Sequence, residues 1–436
     1  MVTISIKQKR PFKTITVVVA NSYRKGGRMI TIGKIPKKLQ RFFKPLKQHF
    51  AKNAWEHFWA LIMAITVSHG TTIDRLSKAL RGSTHRTNHG EFLWRAVWDQ
   101  SLVMQNIALD MLRTLRTKKD RRLFFIIDET QTLKNAKIMD AVGTVHLHST
   151  GTYAKGHMIL KACLCYRGIT IPWGSWLYVK KEHAAKLHLP FRKLTELAAE
   201  AIATATIPEQ FNVTVLFDSF YLCPTVVNAC KQRKWHYIGV AKANRRFTVG
   251  NISRRLGRYG RNVLHNCGRW HSIKGLRTAR LYRIAMRKGF MKGIGQVKVV
   301  FARRKGQRDY RALVTDNFRL SAKTIIICYL KRWAIEMLIR DQKQHLGLGD
   351  YRVLRYRAVV RHLHLVDAAY ACLTHMGIKT RAEQGHSKKT KVLSLEPISK
   401  LKQRMRCIIW QESVKDVIKH SHEKPVIRRL EKLLAA

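Results

Sequence analysis

The stretch YLKRWAIEMLIRDQK, residues 329–343, places one carboxylate, Glu336, among Tyr329, Arg332, Arg340 and Lys343. At about 100° per helical residue these five positions fall within a sector of roughly 80°, so one acid would sit on a basic, partly aromatic stripe. Local ion pairing on a solvated face explains the stretch taken alone. Two further acids give it weight. RRLFFIID reads as a buried strand ending at Asp128, and NVTVLFD as a second strand stopping at Asp218. Two strand-end carboxylates and one helical carboxylate can hold two Mg²⁺ ions about 3.5–4 Å apart, with Mn²⁺ as a substitute, because hard cations take oxygen ligands. One ion would activate water or a 3′-hydroxyl, and the other would stabilise the leaving oxygen of a phosphodiester. The basic stripe fits the same chemistry, since phosphates must be held beside three negative side chains. Each acid also has a plain structural use. Asp128 suits a helix N-cap or turn, Asp218 could cap a helix starting near 222, and Glu336 could pair with Arg332 or Arg340. The three together, in an acid-poor chain, set the expectation.

Composition narrows the partner. The 436 residues hold 84 Lys and Arg against 26 acids, a formal charge of +58, and a pI near 10.8. Such a field repels itself unless an anion neutralises it, and nucleic acid is the expected one. A membrane surface would favour a polybasic segment beside an apolar span. No apolar run reaches the ~18 residues of a span, and no signal-peptide core is apparent, so a soluble, intracellular protein without a membrane partner is expected. The eight cysteines lack a CxxC pair, and those in LKACLCY read as small hydrophobes. His146 and His148 alternate in VGTVHLHS as strand residues, there is no HExxH spacing, and no GxxxxGK phosphate loop appears.

Elements that could position these residues follow from the patterning. A strand at TITVVVA within basic residues 1–50 precedes helical spacing in AWEHFWALIMAITV, TTIDRLSKALRG and LVMQNIALDMLRTLR. Thr72 or Asp74 would cap the middle helix, and a DNA-reading helix-turn-helix is weighed against plain helical packing there. Strands then alternate with helices from residue 119, the helices at HLPFRKLTELAAEAIATA and PTVVNACKQRK. Residues 245–311 carry 20 Arg or Lys and one acid, Asp309, in short β-like runs. LHLVDAAYACLTHMG reads as a buried helix, and a basic tail with KLKQRMRCIIW and a terminal amphipathic helix closes the chain. The fold class expected is α/β in an α+β multidomain arrangement. Its boundaries are a helical DNA-binding domain at 1–118, a catalytic domain at 119–245 and 318–375, a basic β-rich insertion at 246–317, and a basic C-terminal region at 376–436.

Tyr329, Arg332, Glu336 and Lys343 match the Tyr-x2-Arg-x3-Glu-x6-Lys signature of a large bacterial insertion-sequence group of DDE transposases. DETQTLKNAKIMDAVG resembles that family's first-aspartate block, and VLFDSFYLCPTVVNACKQRKWHYIGVAKANR its second; the similarity covers roughly 120–375. The resemblance implies an RNase H-like catalytic domain with Asp128, Asp218 and Glu336 as catalytic metal ligands. It implies DNA contacts by Tyr329, Arg332 and Lys343, with Arg340 beside them. It also implies that Trp270 in the insertion stacks on a flipped base, against the alternative of a core tryptophan. Phe220 departs from the pattern, standing where many relatives have a small residue, and is expected to pack on the sheet. The implied activity is cut-and-paste transposition by a cytoplasmic, nucleoid-associated homodimer acting on terminal inverted repeats and target DNA. A basic DNA-binding derivative without chemistry, and an RNase H-like nuclease without strand transfer, are the alternatives.

Overall fold

The computed structural model describes residues 37–68, 70–80, 85–117, 120–136, 138–147, 151–274, 279–383 and 395–419. The strand expected at TITVVVA, His148, and the end of the amphipathic tail beyond 419 lie outside those residues. Helices α1 (Lys37–Phe43), α2 (Lys52–Val67), α3 (Ile73–Ala79), α4 (Arg86–Trp94) and α5 (Gln100–Leu115) come first. Of the two caps weighed for α3, Thr72 is the one used, its hydroxyl accepting from the Arg75 backbone N–H, whereas Asp74 pairs with Lys78 and Arg86.

Strands β1 (Arg122–Leu133), β2 (Gly143–Leu147), β3 (Thr152–Tyr166) and β4 (Ile169–Tyr178) follow, then α6 (Lys181–Lys186), α7 (Leu194–Ala203), β5 (Asn212–Leu216), α8 (Pro224–Gln232) and β6 (His236–Ala241). Arg167 and Gly168 join β3 to β4 with φ of 51° and 85°, a two-residue loop whose positive φ at both positions matches strand twist. The strands run β4-β3-β1-β5-β6, with β5 parallel to β1 and to β6 and with β3 antiparallel to its neighbours. This is a mixed sheet of the kind an RNase H-like domain requires.

The basic region continues the same sheet. It contains β7 (Arg246–Val249), β8 (Ile252–Arg255), α9 (Leu256–Cys267), β9 (Arg269–Lys274), β10 (Ala279–Met291), β11 (Gly295–Arg304) and β12 (Arg311–Thr315). β12 pairs antiparallel with β6, as at Ala312↔Ala241, and joins the two halves into twelve strands. Helix α9 went unread in the sequence because Gly257 and Gly260, weak helix formers, fall inside it, although Leu256, Val263 and Leu264 line one buried face opposite Arg258 and Arg261. After β12 come α10 (Ala322–Tyr329), a 3₁₀ turn (Leu330–Arg332), α11 (Trp333–His345), α12 (Tyr356–Glu383) and α13 (Ile398–Lys419).

Helix α12 is the hub, burying Leu363, Val366, Ala369 and Leu373 against β4 and against α2, α4, α5 and α13. Buried Arg361 donates to the carbonyls of Phe92, Leu93 and Trp98 at 3.2–3.3 Å, tying the α4 end to α12. The N-terminal helices therefore share one core with the sheet, because a buried guanidinium needs its carbonyl acceptors at fixed positions.

Candidate active site

Two expectations about the carriers need correction. Strand β1 does not end at Asp128 but runs five residues further, because Thr130 and Thr132 are buried and long β3 pairs with it as far as Leu133↔Gly156. The Tyr329–Lys343 stripe is not one helix: α10 stops at Tyr329 and the 3₁₀ turn rotates the chain by about 120° per residue before α11 begins. Tyr329 is consequently buried, at 7% exposure, while Arg340 and Lys343 are exposed.

The parallel ladder between β1 and β5 closes at Ile126↔Leu216, and two residues on along each chain stand Asp128 and Asp218. Neighbouring strands are about 4.8 Å apart, so the two carboxylates rise side by side at the end of the shared ladder. Asp218 lies just past β5, its Oδ1 accepting from the Phe220 backbone N–H at 2.8 Å. Helix α11 crosses β1 and brings Glu336 to the same spot. There the Arg332 guanidinium donates to Asp128 Oδ2 at 2.7 Å and also to Glu336 Oε1. Asp128 and Arg332 keep 18% and 16% of their side-chain surface and Glu336 30%, so the cluster opens to solvent.

Electrostatics set Asp128 apart. Burial pushes its carboxyl up to about 7; Arg332 opposes the rise, while Glu129 and Asp218 add to it. Burial also raises the Tyr329 phenol to about 12, with Arg332 and Arg311 opposing and both aspartates adding. Among the described residues no three His, Cys, Asp or Glu side chains converge as a ready metal-binding group. Arg332 instead stands between two of the acids. The donor set still suits a hard divalent ion: it is made of carboxylate oxygens, and one guanidinium leaves its negative charge short of compensation.

The structure adds residues that sequence reading missed. The Tyr221 hydroxyl donates to Glu129 Oε2 at 2.6 Å, linking the residue after the first aspartate to the loop of the second. The only sequence signal was adjacency, Glu129 beside Asp128 and Tyr221 three residues after Asp218. Phe220 does not pack on the sheet as expected. It is 44% exposed and meets Tyr221 edge-on at 5.1 Å, because the Asx turn at Asp218 points residue 220 outward. Trp270 is 50% exposed on β9, paired with Arg283 on β10. Strands β9 and β10 pack against α10, the helix that delivers Tyr329.

Residues 181–372 match the family model of the transposase DDE domain. The matched span includes Asp218, the basic strands and all of α11, and begins after Asp128. No curated protein matches the chain. The resemblance to DDE transposases read from the sequence stands on this match, and DDE domains in general work with divalent metals.

Proposed function

We propose that the protein is a DNA transposase that binds the terminal inverted repeats of its insertion sequence, cleaves the ends and joins the 3′-hydroxyls to target DNA. The observation that carries this reading is the meeting of Asp128 and Glu336 on Arg332, beside Asp218, in a chain that carries a transposase DDE domain. Asp128, Asp218 and Glu336 are the residues that would hold two Mg²⁺ ions, or Mn²⁺. When bound, the ions would supply a deprotonated attacking oxygen and charge neutralisation at the leaving oxygen. Arg332 then has a task on either side of ion binding. Before it, the guanidinium offsets two carboxylates that would otherwise repel each other. Afterwards its donors are free to take a DNA phosphate in bidentate fashion.

Placement supports the remaining assignments. Arg340 and Lys343 extend the exposed cationic face of α11 toward the phosphate backbone, and buried Tyr329 stands near enough to Arg332 to act on its charge. Trp270 presents an exposed indole on a basic strand, suited to stacking on a displaced base. Paired-end cleavage calls for two copies of the chain on DNA, so a homodimer forms on the repeats. The test is Mg²⁺-dependent cleavage and joining of element-end DNA by wild type and Asp218→Ala. The reading expects joined product from wild type and none from the variant, with end binding kept by both. Binding without cleavage by either protein would mark a DNA-binding derivative, and nicks without joined product would mark a nuclease.

A further inference from the structure

Behind the open carboxylates lies a second charged cluster with no surface at all. Lys161 and Asp367 are fully buried, with Lys161 Nζ 2.5 Å from Asp367 Oδ1 and 2.6 Å from Ser175 Oγ. Ser175 donates to Asp367 Oδ2 at 2.5 Å, and Gln342 Nε2 donates to Asp367 Oδ1 at 2.7 Å. Its elements are the ones that carry the candidate site. Lys161 is the ladder partner of Asp128, Ser175 is the partner of Lys161 on the far side, and Gln342 sits on α11 with Glu336. Six residues along a helix amount to about 9 Å of rise, so Gln342 fixes α11 within two turns of Glu336.

We propose that Asp367 is a positioning residue for the carboxylate site. It ties α11 to the sheet through Gln342, and it holds the Lys161 ammonium away from Asp128. Directly opposed residues of an antiparallel pair share a sheet face with Cβ atoms about 5 Å apart. A lysine there can reach either acid, and an ammonium on Asp128 would compete with any divalent ion. Asp367 removes that competitor with a stronger, fully enclosed set of charge-assisted hydrogen bonds. A buried ammonium also cannot be left without an anion, so loss of Asp367 drives Lys161 toward Asp128.

This inference rests on the metal-site reading above, and its test separates the two. In the full-length protein, Asp367→Asn is expected to raise the Mg²⁺ concentration for half-maximal end cleavage about 10- to 100-fold, the usual effect of losing a residue behind a metal ligand. Lys161→Met added to Asp367→Asn is expected to restore the midpoint, because the competing charge has gone. Hydrogen exchange of residues 333–345, measured without DNA or metal, should quicken in Asp367→Asn and in Gln342→Leu but stay unchanged in α5. Equal impairment of the single and double variants, or a wild-type midpoint in Asp367→Asn, overturns the proposal. Should Asp367→Asn not fold, Gln342→Leu decides: a raised midpoint with faster α11 exchange upholds it, and wild-type values overturn it. If the wild type binds end DNA but never cleaves it, the transposase reading fails. Exchange in α11 then still decides whether the cluster positions that helix.

Discussion

Arg332 and Lys161 both lie between carboxylates and strands, yet they solve opposite problems. Arg332 keeps 16% of its side-chain surface and bridges two acids that are themselves partly open, whereas Lys161 and Asp367 have none. Interactions near solvent are weakened by water and exchange readily, while an enclosed pair is costly to break because its survivor has no alternative solvent. Both partners of the open bridge have alternatives, another cation for the carboxylates and an anion such as a phosphate for the guanidinium. The closed one can only be kept.

The comparison can be broken from its strong side first. Lys161→Ala should cost roughly 3–5 kcal/mol of stability by stranding Asp367, read as a lowered denaturant midpoint. Arg332→Ala should cost no more than about 2 kcal/mol, since Glu336 can hydrate and Asp128, already pushed up to about 7, can take up a proton. Equal losses would erase the distinction between the two sites.

A third polar cluster sharpens the point through pH. Fully buried His157 donates from Nε2 to the Asp140 carbonyl (2.9 Å), which leaves Nδ1 of the neutral ring to accept from the Tyr351 hydroxyl (2.7 Å), and burial lowers it from 6.5 to about 4, with the Asp140 contact opposing. Its folded value lies below its unfolded one, so the unfolded chain binds more protons between those values. Stability therefore falls as pH falls from about 6.5 to 4, by up to about 3 kcal/mol for this residue. His157→Gln should flatten that part of the stability profile. An unchanged acid limb would show that other groups dominate it.

The smallest effects belong to the exposed basic surface. Trp270→Ala should weaken binding of element-end DNA by about 1–3 kcal/mol while leaving the salt dependence alone. Arg340→Ala should instead lower the slope of log affinity against log salt by about 1, as expected for one lost phosphate contact. Reversed outcomes would exchange the roles given to these two side chains.

Local chemistry made much of this protein legible in its residues. The unbroken apolar run LFFII and the apolar character of LHLVDAAYACLTHMG depend on neighbours within a few positions, so the first half of β1 and the buried middle of α12 could be read directly. Helix α9 could not, because Gly257 and Gly260 read as loop residues, and only the packing of Gly260 against Phe301 and Tyr310 shows why a residue without a side chain stands in a helix. The three acids stood out because carboxylates are scarce in so basic a chain. What they do to one another depended on the ladder that sets Asp128 beside Asp218 and on the 3₁₀ turn that aims Arg332. Lys161 and Asp367, 206 residues apart, look like one strand lysine and one helical aspartate in the sequence. Their pairing is a property of enclosure: burial, which no local pattern encodes, turns two ordinary charges into a fixed support for the site.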